Sequence, residues 1–186
     1  MTELIEYYKG IFTILSSCAS RQLEEVTFRR TVIPVQELLD AAGKYFKKLM
    51  KNRPERIELE IESMEAKVIG DVNQLRFLLE NLIDEALTVR EDGVIRLQAR
   101  KDNEYIRFLF TDTRREKSVE ELNQLFYPNL ARMTSGEKGE LRGTEYLVCK
   151  QIIRDHDEFA GHRGCRINAE PAEGGGFTVY FTIPRR

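Results

Sequence analysis

Apolar residues near the amino end recur at three- and four-residue steps: Leu4, Ile5, Tyr8, Ile11, Phe12, Leu15, Cys18 and Ala19. That spacing predicts a helix from Thr2 to about Glu24 with one apolar stripe. An extended stretch, Val26 to Val32, follows. Pro34 then opens a second helix, because a missing N–H costs nothing in a first helical turn. Leu38, Leu39, Ala42, Tyr45, Phe46 and Leu49 form its buried face, and Asn52-Arg53-Pro54 ends it. Alternating residues predict two short strands, Arg56 to Ser63 through Ile57, Leu59 and Ile61, and Ala66 to Ile69, closed by Gly70.

The strongest helical pattern comes next. Asp71 and Gln74 make a capping-box pattern, and Leu75, Leu78, Leu79, Leu82, Ile83, Ala86 and Leu87 then fit helical core spacing at every step. Two alternating strands, Gly93 to Lys101 and Glu104 to Asp112, predict a hairpin turned at Asp102-Asn103. Ser118 with Glu121 caps a short helix ending at Leu125-Phe126, and a polar loop with Gly136 and Gly139 runs from Tyr127 to about Gly143. A helix from about Thr144 to His156, an irregular stretch Asp157 to Gly161, and strands Arg163 to Ala169 and Phe177 to Ile183 complete the chain. The order predicts a two-layer α/β sandwich preceded by an N-terminal helix. Its mixed sheet is mostly antiparallel, with helices on one face.

Composition narrows the class. With 186 residues, 41% hydrophobic and 32% charged, the chain suits one ordinary domain with a helical appendage and is too apolar for a disordered one. No apolar run approaches ~18 residues, so no contact of this segment with a membrane is expected. Met1 leads into a charged, helix-periodic segment rather than a signal peptide. Three cysteines without a CxxC pair, and two histidines, build neither a disulfide framework nor a usual zinc site, which points to a reduced, cytoplasmic chain. Cys18, Cys149 and Cys165 read as small apolar residues. A net charge of −2 argues against general nucleic-acid affinity. The run Lys44, Lys47, Lys48, Lys51, Arg53 and Arg56 reads as a solvated helix face or as a docking surface for an acidic partner; no base-reading element accompanies it.

Three places hold candidate chemistry, each with two readings. Asn81 and Glu85 are four apart, on the border of the leucine stripe, so an amide oxygen and a carboxylate face the same way. They can ligate a hard cation such as Mg²⁺ or form a solvated flank. Asp112 shares the face of Ile106, Phe108 and Phe110 by period two, and a carboxylate there needs a partner. A ligand amine satisfies it, and so does Arg114 or Arg115 after a turn. Gly136, Gly139 and Gly143 precede a helix whose free amides attract anions, or they simply loosen a surface loop.

The order of these pieces resembles the catalytic, ATP-binding domain of sensor histidine kinases, the GHKL or Bergerat fold, over about Thr27 to Arg186. Leu75 to Leu87 (LRFLLENLIDEAL) looks like that family's N box, and Phe108 to Thr113 (FLFTDT) looks like the strand and aspartate of its first glycine box, which implies that Asp112 is the adenine-contacting aspartate. Leu125 to Pro128 (LFYP) is similar to its F box. Gly143 to Ile153, the turn Glu173 to Phe177 (EGGGF) and the ending Tyr180 to Pro184 (YFTIP) resemble its second glycine box and closing strand. The resemblance implies a division into residues 1–25, the tail of a dimerisation and phosphotransfer helix, and 26–186, the ATPase domain. It also implies ATP and Mg²⁺ as cofactors, held by Asn81, Glu85, Asp112, Gly136, Gly139 and Gly143, with Asn81 and Glu85 at the metal. Homodimerisation through the Leu4 to Ala19 stripe and a response regulator-like partner are implied as well; folding of the stripe onto its own domain is the rival.

The departures from the family pattern carry as much weight. Glu85 stands where the second, metal-holding asparagine is usual, and Thr88 where a lysine often follows. The glycines after the aspartate are replaced in Asp112-Thr113-Arg114-Arg115-Glu116, and Glu145 sits where phosphates would come. At ~5 Å and an effective dielectric of ~20, one such repulsion is about 3 kcal/mol. The expectation is a divergent kinase domain whose nucleotide site is degenerate, with a regulatory or scaffold role. The alternatives are a working kinase that phosphorylates an upstream histidine, and an adaptor or anti-sigma-type regulator of the same fold. The only histidines, His156 and His162, fall outside the N-terminal helix, so this chain itself is not expected to carry the phosphoryl group.

Overall fold

Pro34 ends one element and starts the next in the computed structural model, which describes residues 2–5, 8, 27–128, 134–135, 141–142, 144–161 and 163–186. It closes β1 (Thr31–Pro34) and, at φ −61° and ψ 128°, occupies the N-cap position of α1 (Val35–Met50). Its side chain offers no cap; Val35 N instead donates to Ala66 O at 2.9 Å. Strand β1 pairs antiparallel with β3 (Lys67–Gly70) in a two-stranded ribbon, while β2 (Ile57–Ile61) joins the main sheet. The two short strands predicted in succession therefore part company.

The main sheet has the order β2-β4-β5-β9-β8, with β4 (Gly93–Asp102), β5 (Tyr105–Asp112), β8 (Ile167–Pro171) and β9 (Phe177–Pro184). Only β2 runs parallel to its neighbour, because α2 (Val72–Ala86) lies between β2 and β4 in the chain. The other pairs are antiparallel, as the short turns require. The remaining elements are α3 (Val119–Asn123), a small ribbon of β6 (Thr134–Ser135) and β7 (Leu141–Arg142), and α4 (Glu145–Phe159). Helix α2 packs between α1 and α4. Its leucines, buried throughout, meet the inward residues of the central strands. Phe108 and Phe181, register partners on β5 and β9, stack with centroids 4.9 Å apart. The expected mixed, mostly antiparallel sandwich is the fold observed.

Several boundaries move for identifiable reasons. Asp71 caps α2 through Oδ1, which accepts from Asn73 N and Gln74 N, but the reciprocal half of the predicted box is missing. The Asp71 amide donates to His156 Nε2 at 3.1 Å instead, and Gln74 Oε1 is buried without a hydrogen-bond partner. The predicted irregular stretch begins too early: α4 continues through Phe159, whose ring meets Phe28. The last strand pair starts later than expected, at Ile167. Asp157 Oδ1 accepts from Gly164 N at 2.6 Å and Cys165 N at 3.0 Å, holding that stretch out of the ladder. The Ser118–Glu121 capping box forms as predicted.

Of the predicted first helix, residues 2–5 and 8 are helical and exposed; the rest of its stripe, and the boundary at residue 25, lie outside the described residues. Among the described residues no helix is long and apolar enough to cross a membrane. Lys44, Lys47, Lys48, Lys51 and Arg56 are exposed, whereas Arg53 turns inward, its Nη2 donating to Leu87 O at 2.8 Å.

Candidate functional site

Asp112 follows Ile106, Phe108 and Phe110 on the inward face of β5 and is 2% exposed. A carboxylate at such a position is costly unless its charge and lone pairs are met. Arg114 meets them. Thr113 is held by Val94 O, which accepts from its N at 3.2 Å and its Oγ1 at 2.6 Å. The chain then turns, and Arg114 folds back: its N and Nε donate to Asp112 Oδ1 at 3.0 and 2.9 Å, and its Nη2 donates to Oδ2 at 2.9 Å. Both carboxylate oxygens are engaged in a planar, two-pronged pair with side-chain exposures of 1% and 2%.

The same guanidinium closes the carboxyl end of α2. Nη2 donates to Ala86 O at 2.6 Å, and Nη1 to Val89 O at 3.2 Å and Glu91 O at 3.0 Å. The last carbonyls of a helix have no partner within it, and a cation is favourable beside them. Arg114 thus joins the end of β5 to the end of α2. Gly93 makes room for its stem: φ there is +145°, and a Cβ would stand 2.6 Å from Arg114 Cγ. Gly176 (φ +82°) covers the other side, where a Cβ would run into the backbone of Asp112 and Thr113.

Asn81 is 7% exposed, and its Nδ2 donates to Phe77 O at 2.7 Å within its own helix. Glu85 is half-buried one turn later. Its neighbour Ala86 is an Arg114 contact, so the last turn of α2 is tied to Asp112 through one side chain. Asn81 lies five residues before Ala86, about 7.5 Å along the axis. Gly136, Gly139 and Gly143 lie outside the described residues. Glu145 is the first residue of α4, after a Thr144 that makes no side-chain cap. Its Oε2 is buried without a hydrogen-bond partner, as are Arg115 Nε and Nη2. Three cavities of about 460, 700 and 420 Å³ open elsewhere, and none is walled by Asn81, Glu85 or Asp112.

His156 lies in α4, as the helical pattern from Thr144 predicts, and it is wholly buried. Its Nε2 accepts from Asp71 N, so Nδ1 carries the proton and donates to Ile152 O at 2.8 Å. Burial drives its pKa down, against the opposing pull of the Ile152 carbonyl and the Asp71 charge. Both nitrogens are committed, which leaves no acceptor site for a phosphoryl group. His162 lies outside the described residues.

The family model for the histidine kinase-, DNA gyrase B- and HSP90-like ATPases matches residues 70–186, from the end of β3 to the last residue. The chain belongs to this family. Among solved structures, the nucleotide-free catalytic domain of the histidine kinase ThkA is similar, with a TM-score of 0.65 and 21% identity, covering 84% of this chain and 96% of that one. A mycobacterial sensor histidine kinase, MprB, aligns with a TM-score of 0.65 and 18% identity, over 85% and 99%. ThkA in complex with the response regulator TrrA aligns over 99% of this chain and 51% of that one, with a TM-score of 0.65 and 19% identity. At such identities the likeness is one of fold. No curated protein matches the sequence significantly. In this ATPase-family domain, then, Arg114 is the feature that sequence reasoning placed only among alternatives. The signal for it was the replacement of small residues after Asp112.

Proposed function

We propose that this histidine kinase-type ATPase domain has a degenerate nucleotide site and acts as a regulatory scaffold in two-component signalling. One observation carries the reading: the carboxylate that the family resemblance assigns to adenine is already filled by Arg114. A nucleotide would have to displace a guanidinium that makes two hydrogen bonds to Asp112 and three to the carbonyls of Ala86, Val89 and Glu91, at and just beyond the end of α2. Glu145 adds a second obstacle, because its carboxylate, half-buried with Oε2 out of solvent, stands at the amino end of α4, where the resemblance places phosphates. The chain thus supplies a cation in place of the adenine amine and an anion in place of a phosphate. The donor set does not fit ATP with Mg²⁺.

The scaffold role rests on the fold, and a response regulator is the partner class suggested by the ThkA–TrrA complex. The test is thermal unfolding with a non-hydrolysable ATP analogue and Mg²⁺ up to several millimolar. A ligand at ten times its Kd stabilises by about 1.4 kcal/mol, which is about 3–6 °C in Tm for a chain of this size. We expect no shift. A saturable rise of that size, abolished by Asp112→Asn, identifies a working site and overturns the proposal.

A further inference from the structure

We propose that a groove on the helix-free face of the main sheet, lined by Arg107, Arg163 and Arg166, binds a small phosphate-bearing ligand. The groove holds about 700 Å³, within the range of small-ligand sites. It opens at the hairpin end of β5. Tyr105 lines it, and Asp112 lies seven residues, about 23 Å, further along the same strand. Its residues take no part in the site described above.

The guanidinium of Arg107 is set by two contacts. Nη2 donates to Asp102 Oδ2 at 2.8 Å, and the group lies 5.0 Å from the Tyr180 ring centroid. Its Nε is buried with no hydrogen-bond partner. Arg163 and Arg166 make no ion pair among the described residues, yet their backbone is pinned. Arg163 O accepts from Tyr105 Oη at 2.5 Å, and Arg166 N donates to Thr182 Oγ1 at 3.0 Å. Arg166 lies close enough for its charge to oppose the rise that burial causes in the Tyr105 pKa. Asp102 is neutralised by Arg107, and Glu104 is the other carboxylate on the wall. Three guanidiniums outnumber the two carboxylates of the wall on a chain whose net charge is −2, and the Asp157 carboxylate behind the wall is already engaged by the amides of Gly164 and Cys165. Planar guanidinium donors match phosphate oxygens two at a time. The size of the groove suits a small molecule.

The full chain is titrated with inorganic pyrophosphate, and amide shifts are followed by NMR at Tyr105, Arg166 and Tyr180. Saturable shifts confined to this groove are expected, and R163Q/R166Q or R107Q should weaken the affinity at least tenfold. K44Q/K47Q, which alters an exposed basic helix face, should leave it unchanged. An unchanged Tm in R163Q/R166Q shows that these exposed side chains are dispensable for folding. No saturable shift at 10 mM, equal affinity in the groove variants, or equal affinity for citrate overturns the proposal. ATP carries the same group, so the nucleotide titration is repeated in R163Q/R166Q. A shift that survives there belongs to the Asp112 site, and one that vanishes belongs to this groove.

Discussion

Arg114→Ala tests whether the Asp112 pair is structural. In the folded protein the substitution leaves a carboxylate at 2% exposure without its cation and removes a donor from the carbonyls of Ala86, Val89 and Glu91, at and just beyond the end of α2. Breaking one side of a buried pair typically costs about 3–5 kcal/mol, against about 0–1 kcal/mol for an exposed pair. For a domain of this size, that is a fall in Tm of about 6–20 °C. Urea unfolding of the wild type, D112A, R114A and the double variant isolates the pairwise part. The double variant should be much less damaged than the sum of the singles, with a coupling of about 3 kcal/mol. Because the pair is out of water, 1 M NaCl should leave the coupling largely intact. A loss below about 1 kcal/mol for R114A, or additivity within about 0.5 kcal/mol, would show that the guanidinium is a loose occupant, and the case against nucleotide binding would fall with it.

A pH titration and a pair of glycine substitutions probe other supports of the fold. His156 is neutral in the fold and its pKa is depressed by burial, so below about 6.5 the unfolded chain takes up a proton that the native chain refuses. Stability should be full above that pH and fall as pH drops toward the depressed native value, by at most ~1.4 kcal/mol per unit from this group. An NMR titration that finds His156 protonating at or above 6.5 refutes the assignment. Gly176→Ala should cost several kcal/mol, because its Cβ meets the backbone of Asp112 and Thr113. Gly174→Ala (φ +88°), with open space around it, should cost only the local strain of about 1–2 kcal/mol. Equal urea midpoints for the two variants would mean that the turn does not press on the Asp112 strand end.

What the sequence makes legible follows from the range of the interaction involved. The leucines of α2, the alternation in β5 and the Ser118–Glu121 box are written within one helix turn or one strand, and all appear where expected. The failures are long-range contacts. Nothing near Asp71 announces that its amide will be claimed by His156, 85 residues away, instead of by Gln74. Likewise β1 pairs with β3 and sends β2 to the main sheet, a choice made by tertiary packing. At the site, period two placed Asp112 inward correctly and required a partner for it, with Arg114 or Arg115 as one of two answers. Which arginine turns back depends on the space that Gly93 leaves and on carbonyls at the end of α2, neither of which is encoded beside Asp112.

On the proposed reading of a degenerate site, the same geometry explains how nucleotide binding can be lost without loss of the fold. A pocket that binds a polar ligand leaves donors and acceptors unmet when empty, and these weigh on the unliganded domain. Arg114 removes that burden in two places, answering the Asp112 carboxylate and the carbonyls of Ala86, Val89 and Glu91 with a single side chain. A ligand-dependent junction between helix and strand thereby becomes a permanent one. Glu145 remains the exception, since its Oε2 is buried and unmet. On this reasoning Glu145→Gln is tolerated or mildly stabilising, whereas Arg114 admits no comparable replacement, because only its forked group reaches both the carboxylate and the helix end.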